Sequence, residues 1–345
     1  MEYLFGYGAV IPFGFWFAPV MIEYLDVHHK DLKIVMSMLT TVVVCRTLEG
    51  IHGTSPPAVE DSLQNYVTYF STMVHHEWNL KERKIGRVSV STILPQVLRC
   101  AVLFHILSIL MSILVEFDFQ VFSSSPVELD SFYTAPLWDL LHPAHVGNCY
   151  LLGSLFLLMT SFALNAAAFG ENIKGFATPP VFANPLLDSE SPSDFWGRKW
   201  NLTIHRNLKG GFFKPLRKMG ASVWVAAGVT FAMSGIFHDF YTRLIFYQHK
   251  RHARADDVQD IRGLNYGHWK MLAFFSYNWL LIMLERPVAK RLPVSLIQSL
   301  PKFIRSTMIL FVCLPVSHWF TSQWALGGYF EAKQLGYWKI AKIDI

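Results

Sequence analysis

Apolar runs about as long as a bilayer is thick recur along this chain, and they constrain its fold more than any other feature. A hydrocarbon core of about 30 Å is crossed by about 20 apolar residues in helical form. The stretches 149–170 (CYLLGSLFLLMTSFALNAAAFG), 221–246 (ASVWVAAGVTFAMSGIFHDFYTRLIF) and 303–324 (FIRSTMILFVCLPVSHWFTSQW) reach that length. The stretch 92–115 is equally long but includes Arg99; 7–24 and 33–46 are shorter, and 271–285 (MLAFFSYNWLLIMLE) completes the set. With room for irregular spans, the expectation is an all-α polytopic membrane protein of about 7–9 transmembrane helices, folded as one domain over 1–345. Composition agrees: 52% of the residues are hydrophobic and 16% charged, where soluble domains carry about 25% charge. The first 25 residues lack a basic leader and a small-residue cleavage site, so they read as a retained first membrane segment.

Charge placement assigns a side and excludes a partner class. Between 197 and 218 the chain carries Arg198, Lys199, Arg206, Lys209, Lys214, Arg217 and Lys218 and no acidic residue, which predicts a cytosolic loop. The net charge of +5 gathers in such loops, a pattern of membrane topology that implies no nucleic-acid partner. The polar segment 171–220 is about 50 residues long, too long for a structureless connection, so short helices at the membrane surface are expected there. Cys45, Cys100, Cys149 and Cys313 lie in or beside apolar stretches without paired spacing, and read as buried apolar residues with no disulfide framework or zinc site.

Two places carry candidate chemistry. His238 follows about 17 largely apolar residues, roughly 25 Å along a helix over 221–246. An ionisable group at that depth faces a protein interior or a watery cavity. Ser234 shares its face four residues back, Gly228 and Gly235 leave room beside it, and Asp239 and Arg243 are spaced to pair. A structural histidine bonded to a neighbouring helix and a general base near neutral pH both fit. The second place is PSDFWGRKWNLTIHR (192–206), which crowds polar and aromatic side chains into a greasy chain. Asn201-Leu202-Thr203 within it matches a glycosylation acceptor, but the surrounding basic residues argue against a lumenal position. The pairs His28-His29, His75-His76 and His142 with His145 suggest a di-iron enzyme only weakly, since no clustered histidine box accompanies them. They read as surface or interfacial, and no metal is expected.

The run NPLLDSESPSDFWGRKWN (184–201), followed 37 residues later by the histidine of FAMSGIFHDF (231–240), resembles the wax synthase-like branch of the membrane-bound O-acyltransferases. Asp194, Phe195, Trp196, Gly197, Arg198, Trp200 and Asn201 match the first element of that branch, and Ser234, Gly235 and His238 the second. Lys199 stands where the family often has arginine, and keeps the charge. The resemblance implies transfer of a long-chain acyl group from acyl-CoA to a fatty alcohol within an intramembrane reaction chamber, in the endoplasmic reticulum of a eukaryote. It makes His238 the general base and Asn201 its partner. Phe195, Trp196, Arg198, Trp200 and Ser234 become candidates for substrate binding, and Lys199, Arg206, Lys209 and Lys214 for attraction of the CoA phosphates. No metal or bound cofactor is implied. A diacylglycerol or sterol acceptor is the alternative enzyme reading, and a transporter or lipid-binding protein the alternative outside enzymes.

Overall fold

The computed structural model describes residues 2–129, 135–246, 269–289 and 300–330, and these are almost entirely helical. Among the described residues the longer helices are α1 (Tyr3–Tyr24), α2 (Lys30–His52), α3 (Leu63–Ser71), α4 (Val90–Glu116), α5 (Pro143–Ile173), α6 (Val223–Ile245), α7 (Lys270–Ala289), α8 (Lys302–Cys313) and α9 (His318–Leu326). Among the described residues, α1, α2, α4, α5 and α6 are long and apolar enough to cross a membrane. The pair α8 and α9, bent by 73° at a short break, makes a sixth span if taken together. The expected all-α polytopic architecture is therefore what forms. Sequence-local signals set several helix ends. Ser222 accepts a hydrogen bond from the Val225 N–H at 3.2 Å to start α6. The His142 ring accepts from Ala144 N–H at 3.3 Å ahead of Pro143, the first residue of α5. Gly53, at φ 58°, ends α2 in the left-handed conformation that glycine adopts without strain.

The chain divides into two compact units, each built from two separate pieces: 1–84 with 204–280, and 85–203 with 281–345. In the first unit α1 packs along α2, and α6 lies against α2. Ala18, Ile22, Val27 and Leu244 form a buried cluster there, with Met36 and Phe240 packed on it. The Phe15 ring stacks on Phe237 at 5.7 Å. The segment Lys209–Phe213, wound as a wide π-type turn, approaches α2 so closely that a Cβ on Gly211 would lie 2.6 Å from the Cys45 Cα. In the second unit α4 packs along α5. Gln96 and Asn172 join them by a 2.6 Å amide hydrogen bond, which satisfies polar groups at the end of an apolar interface.

Candidate active site

In the first unit, α6 carries His238 on a face shared with Ser234, as the four-residue spacing predicts. The contact uses the backbone of Ser234, not its hydroxyl: His238 Nδ1 lies 2.7 Å from the Ser234 carbonyl oxygen. A carbonyl only accepts, so the proton sits on Nδ1 and the imidazole lone pair is on Nε2. The ring is half-buried and lies 4.9 Å from Phe275 and 5.7 Å from Tyr241 between centroids. Gly235 makes this neighbourhood possible, because a Cβ there would fall 2.5 Å from the Leu272 Cα. The next residue, Asp239, is buried and accepts from the Met271 and Leu272 N–H groups at 3.4 Å each. It therefore caps the N-terminus of α7, where a carboxylate complements the helix dipole, while Arg243 acts on it electrostatically.

In the second unit, the aromatic and polar motif is a folded cluster. Ser191 caps a short turn by accepting from the Asp194 N–H at 3.1 Å, and Phe195–Lys199 follows as a π-type turn. Such turns project side chains at spacings a regular helix does not offer. Phe195 is buried against Ile309, Leu310 and Cys313 of α8, stacks on Trp200 at 5.4 Å and meets Trp196 edge-on at 5.0 Å. Asp194 is buried and accepts from Arg198 Nε at 2.6 Å, so Arg198 is engaged within the motif even though its side chain is largely exposed. Ser193 donates through N–H and hydroxyl to the Glu285 carboxylate at 2.9 and 3.0 Å, which ties the motif to α7. Asn201 follows with φ 33°, a left-handed conformation that asparagine tolerates better than most residues and that clusters at functional sites. Thr203, the third residue of the glycosylation sequon, is buried.

The predicted basic residues fall on both units. Lys199 and Arg206 are half-buried, and Lys209 and Lys214 are exposed. His205, on Leu202–Leu208, has its pKa pushed down to about 4, first by burial and then by Lys209 and Arg206. The histidine pairs expected at the surface divide: His28 is exposed near Asp26, whereas His75, His76 and His145 are buried. Packing decided this, because the polar loop that holds His75 folds back onto a charged cluster. Burial, with Arg46 and Arg206 nearby, takes the His75 pKa down to about 3.

That charged cluster was not anticipated. Arg46 and Glu49 sit within α2; the Arg46 guanidinium is fully buried and stacks 4.4 Å over the Tyr69 ring, and the Tyr69 hydroxyl donates to Glu49. Burial and the neighbouring Glu49 raise the Tyr69 pKa. The signal was present in the sequence as two ionisable residues at helical spacing beside an apolar run, a pattern that marks interior placement.

Comparison with known proteins finds a family match over the segment that carries the motif and the histidine. Residues 178–255 match the family described as "Membrane bound O-acyl transferase family", a segment that contains both Asn201 and His238. The chain is 37% identical over 67 residues to a probable long-chain-alcohol O-fatty-acyltransferase 9 of Arabidopsis thaliana, covering 17% of this chain and 19% of the relative. It is 29% identical over 178 residues to an acyl-CoA–sterol O-acyltransferase 1 of the same plant, covering 48% and 46%. With diacylglycerol O-acyltransferase 1 of Bos taurus the identity is 28% over 114 residues, 31% of this chain and 22% of the relative. The chain thus spans less than half the length of these curated relatives. Residues 178–255 are similar to the membrane-bound O-acyltransferase family, and these relatives carry O-acyltransferase names.

Proposed function

We propose that the chain is an acyl-CoA-dependent O-acyltransferase that esterifies a long-chain alcohol in the membrane, releasing a wax ester and CoA. One observation carries the reading: His238, on a membrane-type helix, gives its Nδ1 proton to a backbone carbonyl and so holds the basic lone pair on Nε2. An alcohol is a poor nucleophile near neutral pH. Nε2 takes the hydroxyl proton while the oxygen attacks the thioester carbonyl, a contribution of about 10²–10⁴ in rate. The tetrahedral intermediate then expels the CoA sulfur, which recovers the proton from the imidazolium. Asn201 is assigned a part in the same reaction, in which its amide holds the acyl carbonyl or donates to the developing negative charge. Lys199, Arg206, Lys209 and Lys214 attract the CoA phosphates at the cytosolic side of an endoplasmic reticulum membrane. Phe195, Trp196 and Trp200 border the acyl entrance. The reaction as written draws on no metal or bound cofactor.

The sterol and diacylglycerol relatives favour a second reading, in which one of those acceptors replaces the fatty alcohol. Membranes containing the protein, supplied with labelled acyl-CoA and hexadecanol, diacylglycerol and sterol in competition, decide between them. Preferential wax ester formation supports the first reading, and preferential acylation of another acceptor replaces it. If nothing is acylated while a reconstituted bilayer passes a solute or lipid, the enzyme reading fails.

A further inference from the structure

We propose that His145, Cys149 and His318 bind a zinc ion that pins the broken α8–α9 span to α5 inside the second unit. The three side chains are at most 3% exposed. Their candidate ligand atoms all lie within 4.8 Å of one another. His145 Nε2 and Cys149 Sγ, one helical turn apart on α5, are separated by 3.4 Å. Zinc holds imidazole nitrogen at about 2.0–2.1 Å and thiolate sulfur at about 2.3 Å in tetrahedral geometry, which separates neighbouring donors by about 3.3–3.8 Å. The α5 pair already has coordination spacing. His318, the first residue of α9, brings its ring to 4.9 Å from that of His145 at an interplanar angle of 78°.

A backbone oxygen lies beside the three donors. Pro315, in the break between α8 and α9, presents its carbonyl 2.8 Å from His145 Nε2 and 3.2 Å from His318 Nδ1. Two imidazoles from distant parts of the chain converge on one oxygen beside a thiol. Two nitrogens and one soft sulfur suit zinc and disfavour calcium or magnesium, which take oxygen ligands. On binding, the Cys149 thiol releases its proton, the His145 proton moves from Nε2 to Nδ1 as Nε2 turns from the Pro315 carbonyl to the metal, and His318 keeps its Nδ1 proton on that carbonyl and binds through Nε2. The site stands apart from the acyl-transfer chemistry proposed for His238 and Asn201, and does not depend on which acceptor is used.

The full chain, purified in detergent without chelator, is expected to hold about one zinc per chain by elemental analysis. His142→Ala, beside the cluster but outside it, should retain the metal. His318→Ala should lose it, and Cys149→Ser, which nearly keeps the volume and so guards against simple misfolding, should lower zinc affinity by at least about 10–100-fold. Cobalt substitution should give a thiolate charge-transfer absorption that Cys149→Ser abolishes. A monodisperse protein that takes up no zinc when zinc is supplied would overturn the proposal, leaving only a hydrogen-bonded clamp on Pro315. Equal zinc content in the wild type, Cys149→Ser and His318→Ala would overturn it as well.

Discussion

At His238 a single hydrogen bond to the Ser234 carbonyl places the ring proton on Nδ1, the arrangement the proposed general base requires. His238→Ala should therefore lower acyl transfer by at least about 10²–10⁴ while the protein still inserts and elutes as one species in detergent. Unchanged turnover in that variant sinks the catalytic assignment. Asn201→Ala should reduce turnover by about 10²–10³, the range for losing one donor to a developing oxyanion, and a purely structural loss of folded protein would argue for another role. The sequon at Asn201 should carry no glycan, since Thr203 is buried; a mobility shift on glycosidase treatment would contradict this. His238 stood out in the sequence because an ionisable type is costly inside an apolar run, and Asn201 through the motif that carries the resemblance. The tautomer did not, because a hydrogen bond to a carbonyl leaves no trace in residue identity.

Elements place these residues through a few close approaches. Gly235 lets α6 meet the start of α7, and Asp239 caps that helix from outside it. Gly235→Leu should disrupt the contact and with it the surroundings of His238, seen as loss of activity together with a lower melting temperature. Asp239→Ala should cost about 0.5–2 kcal/mol, the usual worth of an N-terminal cap, measured by thermal unfolding in detergent. In α2 the buried Arg46 guanidinium is attracted electrostatically by Glu49, which also accepts from the Tyr69 hydroxyl; Glu49→Leu removes both interactions and should cost about 1–3 kcal/mol. A variant as stable as the wild type would show that Arg46 is compensated elsewhere. The sequence marked the spacing of Asp239 and Arg243 but not the capping role, which depends on a helix that begins 31 residues later.

At the scale of the molecule, each compact unit is assembled from two separate pieces of chain, so buried histidines acquire partners from far away in sequence. His75 and His205 have pKa values near 3 and 4, below the unfolded value of about 6.5. The unfolded chain therefore binds more protons than the folded one as pH falls from about 6.5 towards 4, and stability is lost across that window. Melting temperature should drop between pH 7 and pH 5, and His205→Gln should flatten the drop. A profile that rises on acidification would reverse the assignment of both residues as neutral in the fold.

The sequence by itself determined the class of molecule. Apolar runs of membrane length demand helices, since an unpaired backbone is costly in lipid, and the segment 178–255 is similar to an acyltransferase family. It also marked His238 and the cluster at 192–206, because polar groups stand out against a greasy background. Tertiary structure alone decided which buried polar groups meet. Cys149 reads as one more apolar side chain until α9 folds His318 onto it, and Arg46 and Tyr69 are unrelated until α3 lies against α2. Helical periodicity reports neighbours three or four residues apart; partners 23 or 169 residues away are set by packing, which no local pattern encodes.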